Sequence, residues 1–104
     1  MWFWPRGQTL SDEQIKEVKR KATSVRRAYS SCLKCNSSRP EACRGLEVRL
    51  LESYAQHCCQ EQADAFRACY SSVFETDQDP AVCEPYIKAM QKCLKRKGLV
   101  HPLM

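Results

Sequence analysis

CQEQADAFRACYSSVFETDQDPAVCEPYIKAMQKC, residues 59–93, holds four cysteines at two equal spacings, Cys59-x9-Cys69 and Cys83-x9-Cys93. On an α-helix a ten-residue step rises about 15 Å in a little under three turns, so the two thiols of each pair fall on one stripe. Thr76-Asp77-Gln78-Asp79-Pro80, between the pairs, is turn chemistry. If the flanking helices fold back antiparallel through residues 70–82, Cys69 meets Cys83 beside the turn and Cys59 meets Cys93 one matched step away. A parallel or crossed pairing would pull one pair beyond the roughly 4.4–6.8 Å between Cα atoms that a disulfide allows. Closing loops of this length stabilises by about 3 kcal/mol each in the chain-entropy description.

Downstream, Gly98 ends a helix running to about Lys97. Pro85 cannot sit in a helix interior without removing a hydrogen bond, so the regular helix is expected to begin at Glu84 or Pro85. Upstream, residues 41–75 contain no proline and only Gly45. There Leu51, Tyr54, Ala55, Cys58, Cys59, Ala63, Phe66, Cys69, Tyr70 and Val73 keep near a helical period, which fits one long helix or two. Pro40 follows the turn Asn36-Ser37-Ser38-Arg39 and suits a helix's first turn. Further back, Ser11 and Gln14 make a capping box. Behind it Ile15, Val18, Ala22, Val25, Tyr29 and Cys32 form a heptad stripe that predicts a helix over 12–35. Residues 1–10 read as an extended aromatic lead and 99–104 as an extended tail. Between these lie a basic helix with a first hairpin over 11–55 and a second hairpin over 56–98.

The 104 residues suffice for one compact domain, or two hairpins sharing a core, and the 8 cysteines are the constraints so short a chain often needs. Such a density reads as a disulfide framework in an oxidising compartment, or as metal binding or redox chemistry in a reduced cytosol, so the compartment has to be decided first. Met1-Trp2-Phe3-Trp4-Pro5-Arg6 does not read as a secretory signal, an Arg- and Ser-rich presequence is not evident, and no stretch reaches the roughly 18 apolar residues of a membrane span. The net charge of +5 fits an acidic partner, a membrane surface or acidic lipid, or ordinary solvated basic helices. Nucleic acid is not expected, because Lys16, Lys19, Arg20, Lys21, Arg26, Arg27 and Lys34 have no aromatic among them but Tyr29, which lies on the apolar stripe.

Cys59-x9-Cys69 and Cys83-x9-Cys93 resemble the twin C-x9-C motif of the coiled-coil-helix-coiled-coil-helix (CHCH) family. The resemblance covers residues 59–93 and implies an all-α fold of disulfide-stapled antiparallel hairpins. It also implies residence in the mitochondrial intermembrane space and import through the disulfide relay machinery without a cleaved presequence. Family docking signals place an aromatic one turn from a motif cysteine, which here carries over to Phe66 and Cys69. The upstream half is similar to a worn copy of the unit, since Pro40-Glu41-Ala42-Cys43 parallels Pro80-Ala81-Val82-Cys83. Cys35 would then face Cys43 in an inner bridge. Nine residues outward lie Val25 and Ser53, where a full repeat would have cysteines, so the first hairpin is read as degenerate. Cys32 is an alternative partner for Cys43, and with two bridges fixed the other four cysteines allow three connectivities. Cys58, roughly 22 Å along a helix from Cys43, fits a free thiol. The doubled arrangement resembles the double-CHCH accessory subunits of respiratory complex I.

Other chemistry finds less support. The pair Cys58-Cys59 resembles the Cu(I) pair of a copper metallochaperone, but Cys59 is already a motif cysteine. Cys32-x2-Cys35 with Cys43 and His57 has zinc ligand types without a zinc module's spacing. His57 and His101, the only histidines, have no catalytic setting. The expectation is a non-enzymatic chain without metal or cofactor, peripheral to the inner membrane. It would serve as a structural accessory subunit among the protein subunits of a respiratory complex, complex I first, with Trp2, Phe3 and Trp4 either tucked into the chain's own core or serving as an anchor in a partner or at a membrane interface. The alternative is an assembly factor or copper metallochaperone of the same compartment.

Overall fold

A computed structural model of the chain describes residues 9–99. Trp2, Phe3 and Trp4 lie outside the described residues. Ser11 opens α1 (Asp12–Lys21). Its hydroxyl accepts from the Gln14 amide at 3.2 Å, and the Gln14 side-chain oxygen accepts from the Ser11 amide at 2.9 Å, so two otherwise unpaired amides satisfy each other's residues. The single helix expected over 12–35 is two, because the chain breaks at Ala22 before α2 (Thr23–Cys35). The Thr23 hydroxyl donates to the Arg20 carbonyl at 2.7 Å, and such back-bonding competes with the ladder and bends helices. The apolar stripe keeps its phase across the break. Val18, Ala22 and Tyr29 are buried, with Ile15, Val25 and Cys32 packed against them.

A 3-10 turn (Pro40–Cys43) leads into α3 (Arg44–Cys58), which a corner at Cys59 separates from α4 (Gln60–Thr76). The 41–75 region is therefore two helices. Asp77, left-handed at φ 54°, ends α4. A second 3-10 turn (Pro80–Cys83) follows, and α5 (Glu84–Arg96) holds Pro85 in its first turn, where the missing amide costs nothing. Gly98, at φ 95°, turns the chain out of α5. Leu99 does not extend into a tail: its amide donates to the Leu94 carbonyl at 2.9 Å and its side chain is buried.

From α2 onward, consecutive helices fold back on one another, and α1 packs on α3. The Tyr29 hydroxyl donates to Glu47 at 3.0 Å, tying α2 to α3, and Arg67 donates to Glu52 at 2.8 Å, tying α4 to α3. Arg44 pairs with both Glu47 and Glu84. Residues 44 and 84 are 40 apart in sequence, so the ion pair sets the starts of α3 and α5 side by side. Leu50, Tyr54, Met90, Leu94 and Val18, drawn from α1, α3 and α5, are almost completely buried in one cluster that runs from Leu10 to Leu99. Among the described residues the fold is all-α and disulfide-stapled, compatible with a CHCH-like arrangement. No helix among them is long and apolar enough to cross a membrane.

Candidate docking groove

Three bridges set the geometry. Cys59 is joined to Cys93 with Cα atoms 6.2 Å apart, and Cys69 to Cys83 at 5.9 Å, so α4 and α5 are stapled at two levels. In the first hairpin Cys43 is joined to Cys32, at 5.9 Å, and not to Cys35. The correction has a helical cause. Cys32 continues the inward stripe through Val25 and Tyr29, whereas Cys35, three residues later, ends α2 turned to solvent with a free thiol. The Asn36 side-chain amide lies over the bridge, 3.6 Å from the Cys32 sulfur, and donates to the Cys32 carbonyl at 2.9 Å. Cys58 is also free but buried, and its thiol donates to the Tyr54 carbonyl at 3.4 Å.

Between the start of α3 and the stapled pair lies a groove of about 780 Å³. Val48, Phe66, Tyr70 and Ile87 give it an apolar floor; Arg44, Arg49 and Arg67 stand along it. Val25 of α2 and Ser53 of α3 also line it. The Pro80 turn closes one end, held by the Asp79 carboxylate accepting from the Ala81 amide at 3.0 Å.

An aromatic ladder climbs out of the groove along α4. Phe66 and Tyr70 stack with centroids 5.6 Å apart, and Tyr70 meets Phe74 edge-on at 4.9 Å. Each four-residue step turns about 40° around a helix. Exposure rises accordingly, from 3% at Phe66 through 43% at Tyr70 to 73% at Phe74. Phe66, the residue tied by resemblance to import docking, is core in the folded chain, and its neighbour Cys69 is bridged. Phe74 did not stand out in the sequence; its signal was the i, i+4, i+8 run of aromatic rings extending past the buried positions.

The charges along the groove are mostly engaged. Arg44 is held by Glu47 and Glu84, and Arg67 by Glu52. Arg49 is exposed and pairs with no carboxylate among the described residues. Tyr29, below them, is pushed up to about 12 by burial and by its bond to the Glu47 carboxylate, so it stays a neutral donor. On the far side His57 is lowered by burial and then by the nearby Lys21 charge. Among the described residues no three His, Cys, Asp or Glu side chains converge as a metal site. An apolar floor, a protruding aromatic edge and an uncommitted guanidinium suit the burial of a protein segment. Compared with known protein families, with curated proteins and with solved structures, the chain matches none.

Proposed function

We infer that this chain is a twin C-x9-C protein of the mitochondrial intermembrane space. In this reading it acts as a non-catalytic structural accessory subunit on that side of a respiratory complex, with complex I the first candidate. The observation that carries it is the exposed ladder Tyr70–Phe74 beside the groove, on a hairpin that two disulfides hold rigid. Large aromatics fixed in place lose little entropy on association, which favours stable burial against a larger partner. The occupant is a segment of a partner subunit that presents an apolar side chain to the floor and an acidic group to Arg49. Two sequence features add support: the spacings at 59–69 and 83–93, and the repeated Pro-x-x-Cys turns at 40 and 80.

Blue-native separation of detergent-solubilised mitochondria under non-reducing conditions tests this, with Phe74→Ser beside the unaltered chain. Stable co-migration with an intact respiratory complex, weakened at least tenfold by Phe74→Ser, is expected, because an anchor of this kind contributes about 2 kcal/mol. Recovery only as a free species or in sub-assemblies would favour the assembly-factor alternative, to which the exposed Cys35 thiol lends itself.

A further inference from the structure

The solvent face of α5 is a surface of another kind. Lys88, Lys92 and Lys95 recur at steps of four and three, so they stand in one row, all exposed. Residues 85–99 contain no acid at all. None of the three lysines lies within ion-pairing distance of a carboxylate among the described residues. The carboxylates of α3, the helix behind them, are engaged elsewhere: Glu47 with Arg44 and Tyr29, Glu52 with Arg67. The lysine row rims a cleft of about 310 Å³ walled by Leu51, Tyr54, Leu94 and Leu99. The macrodipole accounts for cations in the last turn of a helix, such as Lys95, but not for Lys88 in its first half.

We propose that this face rests on a phospholipid surface of net negative charge, with the three ammonium groups among the phosphates and apolar atoms entering the cleft between them. The residue type supports this occupant. Lysines are mobile point charges on long apolar stems, suited to a fluid array of headgroups, whereas arginine forks suit fixed protein carboxylates. Arg44, Arg49 and Arg67 all line the other groove; no arginine lines this cleft. The row spans about 10 Å along a helix, so it presents an edge to a plane. Its apolar floor gives an amphiphile something that a purely polyanionic partner would not use. The proposal deepens the peripheral-membrane part of the reading above and rests on it only for which membrane is met.

The test is flotation of the purified, oxidised full chain with vesicles of phosphatidylcholine alone or of equal parts phosphatidylcholine and phosphatidylglycerol. Binding to the mixed vesicles only, and its loss as salt is raised, are expected. Each Lys→Gln change at 88, 92 or 95 should weaken binding about fivefold, and the triple variant about a hundredfold, with its helical circular dichroism intact. Equal binding to neutral vesicles, undiminished binding by the triple variant, or retention on polyglutamate in preference to the vesicles would each overturn the proposal, the last by assigning the face to an acidic protein. Co-migration with a respiratory complex without flotation would overturn this inference and leave the accessory-subunit reading standing. Flotation without co-migration would do the reverse.

Discussion

Cys35 and Cys58 carry the same thiol into opposite surroundings. Cys35 stands in solvent at the end of α2, while burial pushes the Cys58 thiol up to about 11, against a smaller pull from Lys97. At pH 8 that shift alone leaves Cys58 about a hundredfold less thiolate than an ordinary cysteine. Iodoacetamide on the folded, oxidised protein should therefore modify Cys35 quickly and Cys58 at least a hundredfold more slowly, with both reacting in denaturant; equal rates read by mass spectrometry would contradict the burial of Cys58. The sign of the linkage follows. A raised thiol favours the fold while it is protonated, so its contribution is present below the ordinary value of 9.0 and lost as pH rises through about 11. Cys58→Val should flatten that alkaline decline in thermal midpoint. Gly98 is the other residue where one atom decides. Its φ is 95°, and an added Cβ would lie 2.9 Å from the Thr9 methyl group. Gly98→Ala should cost about 1–2 kcal/mol, seen as a midpoint lowered by several degrees. Gly98 and the Ser11–Gln14 box were legible in the sequence because one residue type satisfies each local demand. The choice of Cys32 over Cys35 had its signal too, since Cys32 ends the apolar stripe of α2, but the parallel between the two Pro-x-x-Cys turns pointed to Cys35 instead.

The elements break where periodicity gives no warning. Ala22 and Cys59 interrupt apolar stripes without glycine or proline, and the stripe keeps its phase on both sides, so hydrophobic spacing alone cannot see either corner. At Ala22 the signal was the Thr23 hydroxyl, which takes a backbone carbonyl. At Cys59, φ −137° and ψ 55°, the bridge to Cys93 sits on the corner itself, and nothing local in the sequence marks it. The Pro-x-x-Cys turns, by contrast, were visible as a repeat. What the repeat concealed was that its two copies lie side by side, with Arg44 of one paired to Glu84 of the other. The groove between them needs this placement, which is why it could not be read from residues 59–93. The bridges also differ by element. Cys59–Cys93 spans 34 residues and Cys69–Cys83 spans 14. On loop closure alone, replacing the first pair by serine should cost roughly 4 kcal/mol and the second roughly 3 kcal/mol. Urea unfolding of the two double variants checks the order.

At the scale of the molecule, extents of 38 × 32 × 20 Å describe a slab. The groove with its arginines and the cleft with its lysines use different faces of α3, since Val48, Glu52 and Gln56 line one while Leu51 and Tyr54 line the other. Both surfaces can thus be occupied together, which is what a subunit at a membrane-bound complex requires. The slab is one body because α3 packs against every other helix. Yet the bridges tie 32 to 43, 59 to 93 and 69 to 83, and none crosses the stretch from Cys43 to Cys59. A protease cut in the turn at 77–79 would leave one covalent particle, running as a single band until reductant is added. A cut within α3 would part the protein into two covalent halves with every disulfide intact. Among the described residues no bridge spans α1, the part of α2 before Cys32 or the chain after Cys93 either, but α3 is the uninsured segment that lies at the centre of the packing.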